Sequence, residues 1–353
     1  MEILSQFLIA ACSATTFVPQ TKLAINGMYF YINDRLTYAD YKREAHGRLM
    51  NVRMVNAVFD DENPATCPSD FNPDTNTDRF IELMNDYKAK GILAFTINLQ
   101  GGMPGYEGAI NSAFRSDGSL KPNYMDRVRR VIEAADARGL IIILGFFYQR
   151  QDGILQDVNA VRQATVNATT WICDQGYTNV IVEIANEYRH PGFDHQIITD
   201  EDGEVELMNL VRQTAPNLLV STSGMGDAKF HSSLANAADF ILIHGNTSDP
   251  DEYEGKVNAL KHYNKPIVFN EDWCFSDDTR RIGDAVEKLT NAFEAGASWG
   301  IMNQIRNQQY PFIFEIGKPT EGENEISKID CSTNHCVLGS CVIVSCAGGT
   351  RDF

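Results

Sequence analysis

The chain is 353 residues long, 43% hydrophobic and 10% aromatic, enough apolar material for a large core, which excludes a disordered tail or a small disulfide scaffold. With 47 acidic against 30 basic residues the formal charge is −17, which argues against nucleic acid and anionic membrane surfaces as partners. No apolar run approaches the roughly 20 residues of a membrane span.

In chain order, Phe7 to Ala14 is short and apolar and ends in small residues, as a secretory leader does. Glu2 and the lack of a preceding positive charge speak against that reading. The expectation is a leader over 1–23, with secretion favoured over a cytoplasmic location. The sequons at Asn167 and Asn246 are compatible with it. Ala24 to Tyr38, with Asn33-Asp34-Arg35 between two β-prone runs, predicts a β-hairpin that covers one end of the main domain.

From there short β-branched runs alternate with helical patterns. The runs are 52–59, 92–99, 140–147, 180–185, 218–222, 240–244, 266–269 and 298–302, eight candidate strands. Between the first two, Ile81, Met84 and Lys88 stand one turn apart, with Thr77 as the candidate cap and Gly91 as the stop. Val128, Val131, Ile132 and Ala135 form the next stripe, closed by Gly139. The helices over 158–175 and 282–295 stop likewise at Gly176 and Gly296. Continuous apolar strands joined by helical crossovers mean a parallel sheet covered by helices. Eight such units predict an α/β fold, a (β/α)8 TIM barrel with an N-terminal β-hairpin, and residues 51–302 supply 252 residues against the usual value of about 250. A doubly wound open sheet is the alternative, disfavoured because no Gly-x-Gly-x-x-Gly follows the first strand. Hairpin plus barrel would occupy 24–313. Residues 314–353 form a tail in which Cys331, Cys336, Cys341 and Cys346 repeat every five residues. That spacing is not the Cys-x2-Cys of a zinc ribbon, and a disulfide-bonded tail, an unstructured extension and a metal site all stay open.

In such a barrel the active site lies at the C-terminal mouth, so polar residues that end strands carry weight. The fourth strand ends Glu183-Ile-Ala-Asn186-Glu187 and the seventh Phe269-Asn270-Glu271, each with an Asn-Glu pair where the strand leaves the core. Two facing carboxylates are what glycosidic cleavage needs, one to protonate the leaving oxygen and one to attack or to position water. Asn186 could orient Glu187 and bind a sugar hydroxyl. Asn56, Gln100, Tyr148, His244 and Asn246 all follow strands and are candidate hydroxyl partners, and Trp273 and Trp299 are candidate stacking platforms. Glu183 shares a strand face with Glu187 but lies deeper, which suits an internal salt bridge to Arg53.

These residues resemble the signature of the clan A glycoside hydrolases, the retaining (β/α)8 enzymes that include cellulase-like and mannanase-like families, over most of 51–302. More narrowly, Leu49 to Pro64, Ala94-Phe-Thr-Ile-Asn-Leu-Gln-Gly-Gly102, Gly145-Phe-Phe-Tyr-Gln149 and Phe240-Ile-Leu-Ile-His-Gly-Asn246 resemble a group of bacterial glycoside hydrolases of unassigned substrate. The resemblance implies Glu187 as acid/base and Glu271 as nucleophile, with a carbohydrate substrate and no metal or organic cofactor. Burial and the neighbouring carboxylate are expected to raise the pKa of Glu187. The sequence departs from the clan pattern in three places. Arg53 sits near the start of the first strand rather than the end of an early one. Tyr148-Gln149 replaces a histidine after the third strand, and Trp299 falls one or two residues early.

Two other readings compete. A metal-dependent hydrolase on the same barrel would use His190, Asp194 and His195 or Asp60-Asp61-Glu62, neither of which has a His-Glu-x-x-His spacing. A glycan-binding protein on an inactive scaffold would not need both glutamates. The glycine-rich stretches 101–105 and 221–226 lack the phosphate-loop and nucleophile-elbow residues and read as barrel loops.

Overall fold

The computed structural model describes residues 17–272 and 280–315. Residues 1–16 of the expected 1–23 leader, Trp273 and the four tail cysteines therefore lie outside the described residues. The chain begins with an antiparallel meander, β1 (Leu23–Asn26), β2 (Tyr29–Ile32) and β3 (Arg35–Leu36). The expected hairpin is thus β2 and β3, with a third strand added before it through the turn at Gly27, whose φ of +56° suits glycine.

Eight parallel strands come next: β4 (Asn51–Arg53), β5 (Ala94–Asn98), β6 (Ile141–Phe147), β7 (Val180–Ala185), β8 (Val220–Ser221), β9 (Ile241–His244), β10 (Ile267–Glu271) and β11 (Gly300–Ile301). Six are hydrogen-bonded in the order β11-β4-β5-β6-β7-β8, and β9 pairs with β10. Parallel bridges Ser223–Leu242 and Val268–Ser298 join the two groups on either side, so the ring closes. The helices between strands include α1 (Pro73–Ala89), α2 (Pro122–Asp136), α3 (Val158–Gln175), α4 (Gln196–Thr199), α5 (Glu201–Thr214), α6 (Ser232–Ala237), α7 (Tyr253–Leu260) and α8 (Arg280–Ala295). Among the described residues no helix is long and apolar enough to cross a membrane.

Two expectations about local structure need correction. The first barrel strand is three residues, not eight, because the chain turns at Met54 into a 3-10 segment, Val55–Val58. Helix α1 starts five residues before Asp78 and is capped by Asn72, whose side chain accepts from the Thr75 N–H. Thr77 lies inside α1 with its hydroxyl on the Pro73 and Ala57 carbonyls, and the buried stripe is Thr77, Phe80 and Met84 rather than Ile81. The α2 stripe is buried as the spacing predicts.

The apolar barrel interior is confined to the N-terminal half, where Leu49, Ala94, Ile141, Ile143, Ile181, Leu242 and Val268 meet. Leu23 and Phe30 of the meander complete that cluster and seal the end. Thr21 fixes the lid by donating from N–H and hydroxyl to Asp136, at 2.9 and 2.6 Å. The next interior layer is polar. Asn51 and Asn98 point inward across from Gly300 and Gly145, where a Cβ would stand 2.1 and 2.6 Å from the asparagine oxygens. With one end plugged and the middle polar, the C-terminal mouth is the candidate ligand end of the barrel.

Candidate active site

Glu187 follows β7 in a turn that bends its backbone to φ +52°, in the left-handed region that a non-glycine residue occupies at a cost of about 1–3 kcal/mol. The Ser223 hydroxyl accepts the Glu187 N–H at 2.9 Å, and the Glu187 carbonyl accepts from His190 N–H at 2.6 Å. These bonds hold the side chain over the mouth. Glu271 ends β10, where a bulge sets Phe269 opposite Ile243 but Glu271 opposite His244. The extra residue lets consecutive side chains both serve the interior. Asn270 reaches down to donate to Glu183 at 3.1 Å, while Glu271 faces the mouth.

One oxygen of Glu187, one of Glu271 and a ring nitrogen of His244 lie within 4.8 Å of one another. His244 Nδ1 is 3.1 Å from Glu187 and 3.7 Å from Glu271. Arg53, fully buried, brings Nε to 2.7 Å from Glu271 and a terminal nitrogen to 3.5 Å from Glu183. Its other terminal nitrogen donates to Asn186 Oδ1. Asn246 Nδ2 donates to the second Glu271 oxygen at 2.6 Å. Glu271 is thus ringed by donors, and a metal ion bound there would have to share the site with the Arg53 charge.

The charges set each other's protonation. Burial alone would push His244 down, but Glu271 and Glu187 outweigh it and raise His244 above its ordinary value. Burial alone would raise Glu187, but the hydrogen bond and charge of His244, together with Arg53, hold it below the usual carboxylate range. The expectation of a raised Glu187 is thereby corrected, because the imidazole 3.1 Å away favours the charged carboxylate over the neutral one.

Arg53 is the residue that the sequence misplaced. Because β4 is short, Arg53 is its last residue and stands at the mouth rather than near the start of a long strand. The predicted Arg53–Glu183 pair is present. Asn186 is buried between Arg53 and Gln149, its Nδ2 3.0 Å from Gln149 Oε1. Tyr148 faces the centre, and burial together with Glu271 raises its phenol well above the ordinary value. Its ring lies against Gly101, where a Cβ would come within 2.0 Å of it.

Three candidate ligand residues are not available to a sugar. Asn56 is buried in the 3-10 turn and donates to the Asn307 carbonyl at 3.1 Å. Gln100 is buried and donates to Ser112 and to the Gln151 carbonyl, at 3.0 and 3.2 Å. Trp299 is 1% exposed, and its indole N–H donates to Asp272 at 2.8 Å, so it packs in the core instead of forming a platform. The groups behind the metal reading are used locally. Asp152 accepts from the N–H groups of Asp194 and His195, both at 2.9 Å, and faces His195 Nδ1 at 3.0 Å. Asp60 pairs with Arg127 and Asp61 caps the 61–66 turn.

Sequence reasoning passed over Tyr106, in the 3-10 segment Met103–Glu107 after β5, whose hydroxyl meets Gln149 at 2.9 Å and His190 at 3.2 Å. Its one signal was an aromatic residue in a glycine-rich loop at the mouth. Asp272 was also missed. It is buried next to Glu271, binds Lys288 at 2.9 Å and accepts from Trp299 and Tyr253.

A closed parallel barrel whose fourth and seventh strands present facing carboxylates at the C-terminal mouth defines the glycoside hydrolase class of TIM barrels. The family model described as Cellulase (glycosyl hydrolase family 5) matches residues 55–309, and the chain belongs to that family. No curated protein sequence matches it. Among solved structures it is similar to the exo-beta-1,4-mannosidase Op5Man5 from an Opitutaceae bacterium, at 12% identity and TM-score 0.53 over 76% of this chain and 54% of that one. It thus spans about half of that enzyme's length. A beta-mannanase from the blue mussel Mytilus edulis matches at 12% identity and TM-score 0.53, over 80% and 91% of the two chains. A broad-specificity endoglucanase from Clostridium acetobutylicum matches at 10% identity and TM-score 0.51, over 84% and 96%. Identities this low carry the fold alone.

Proposed function

We propose that the chain cleaves an O-glycosidic bond of a poly- or oligosaccharide with retention, Glu271 acting as nucleophile and Glu187 as acid/base. The observation that carries this reading is the approach of the two carboxylates to within 4.8 Å around His244, close to the roughly 5–5.5 Å of retaining enzymes and short of the 6.5–9.5 Å that an intervening water requires. Arg53 and Asn246 orient Glu271 so that an oxygen lone pair can reach the anomeric carbon. As the C–O bond breaks, Glu187 passes to the leaving oxygen the one proton of the pair, which it draws from His244 Nδ1 3.1 Å away. The glycosyl ester neutralises Glu271, and Glu187 then removes a proton from the water that hydrolyses the ester.

The test is a panel of activated aryl glycosides and oligosaccharides, with the product anomer followed by NMR. Retained configuration and a loss of about 10⁴-fold or more in Glu271→Gln are expected, because the covalent route disappears. Wild-type turnover by Glu271→Gln, or an inverted product, overturns the assignment.

A further inference from the structure

One chain of hydrogen bonds in the mouth has its direction fixed at both ends. At one end Arg53, which can only donate, occupies Asn186 Oδ1. Asn186 therefore turns its amide to Gln149 Oε1 at 3.0 Å, and Gln149 turns its own amide to the Tyr106 oxygen at 2.9 Å. At the other end the Gly192 backbone N–H donates to His190 Nδ1 at 3.0 Å. The neutral ring then carries its proton on Nε2 and donates to the same Tyr106 oxygen at 3.2 Å. Burial lowers His190 below its ordinary value, in keeping with a neutral ring. The phenol oxygen accepts twice, and among the described residues its own proton meets no acceptor.

Arg150 adds a second donor. Its guanidinium carbon lies 4.4 Å from the Tyr106 ring centroid. The side chain is exposed, and among the described residues no carboxylate pairs with it. It is also held in place. Arg150 has φ +65° and donates its N–H to the Gly192 carbonyl at 2.9 Å, and a Cβ on Gly192 would press on its stem at 3.3 Å. The Tyr106 hydroxyl is 3.2 Å from His190 Nε2, and the His190 backbone N–H donates to the Glu187 carbonyl at 2.6 Å, which sets the pair next to the acid/base residue.

We propose that Tyr106 and Arg150 form a subsite for an anionic substituent, a uronic carboxylate or a sulfate ester, on a sugar unit neighbouring the one cleaved. A guanidinium and a phenol that can only donate offer a carboxylate two charge-assisted or directed bonds. A neutral sugar hydroxyl can accept from either group but gains no charge pairing with the guanidinium. This adds a charge preference to the carbohydrate substrate, and it rests on the glycosidase reading above.

The experiment compares xylo- and cello-oligosaccharides with their glucuronyl-branched, C6-carboxylated and 6-sulfated counterparts, in the wild type, Arg150→Ala and Tyr106→Phe. For at least one backbone the wild type should favour a charged form by tenfold or more in kcat/KM, mostly through KM. In Arg150→Ala that ratio should fall to about one, and in Tyr106→Phe part of the way. The carboxylated and sulfated arms tell the two sources of charge apart. Calorimetric titration of the Glu271→Gln protein with the same compounds separates this proposal from the reading it rests on. A charge preference in binding that Arg150→Ala abolishes supports the subsite even if no compound is turned over. Equal affinity for charged and neutral forms, or an unchanged ratio in Arg150→Ala, overturns it.

Discussion

Asp272 offers the sharpest test of how the mouth is held together. Its buried carboxylate binds Lys288 Nζ at 2.9 Å and accepts from Trp299 and Tyr253, and its carbonyl accepts from Met302 N–H at 2.9 Å. Gly245, between His244 and Asn246, leaves room for it, since a Cβ there would stand 2.7 Å from the carboxylate and 2.3 Å from the Tyr253 hydroxyl. Asp272→Asn keeps the shape but sets an NH2 against the Lys288 ammonium and strands a buried charge, which typically costs 3–5 kcal/mol. At roughly 2.1 cal/mol/K per residue, the 292 described residues (256 in 17–272 plus 36 in 280–315) give an unfolding entropy of about 0.6 kcal/mol/K. The expected fall in Tm by calorimetry is therefore about 5–8 °C. Replacing both partners, in Asp272→Asn with Lys288→Met, removes the stranded charge and should recover much of the loss. A Tm within about 1 °C of wild type for the single variant would refute the reasoning, because it would mean that water or another anion already satisfies Lys288.

Two more predictions concern protons. His244 is raised above its ordinary 6.5 by the carboxylates around it, so the Glu187–His244 pair keeps its one proton to a pH above that value and the alkaline limb of the rate profile should lie there. In His244→Gln only Glu187 can hold that proton, and the limb should move to lower pH, with a loss near pH 7 of up to about tenfold for each unit moved; an unmoved limb would remove His244 from the proton path. Glu204 of α5 is fully buried beside Thr222, and burial raises its carboxyl well above the ordinary value. A raised folded pKa gives stability that is complete below the unfolded value and is lost as pH rises through the folded one, at up to about 1.4 kcal/mol per unit. Glu204→Gln should flatten the decline in denaturant midpoint between pH 5 and 8; a decline as steep as that of the wild type would show that Glu204 is not its source.

The legible part of this protein is what local chemistry encodes. Gly139, Gly176 and Gly296 have positive φ at helix ends, a region glycine enters without a Cβ penalty, and short apolar runs of β-branched residues between helical patterns read as covered parallel strands. The eight units, and Glu187 and Glu271 at the ends of two of them, follow from such signals. The site was less legible where a side chain's job depends on a partner far along the chain. Arg53 meets Glu183 and Glu271, 130 and 218 residues away, and its placement turned on β4 ending after three residues. Nothing near Trp299 in sequence marks Asp272 as the acceptor that draws its indole into the core. Nothing near Asn56 marks the Asn307 carbonyl.

The sequence by itself determined the barrel, its direction and the two glutamates at its mouth, because strand, helix and turn preferences act between residues a few positions apart. Only the tertiary fold decides which mouth residues reach the cleft, that His244 stands between Glu187 and Glu271, and that Arg150 lies over the Tyr106 ring. Those properties belong to burial and to fields summed over several strands, and no single stretch of chain contains them.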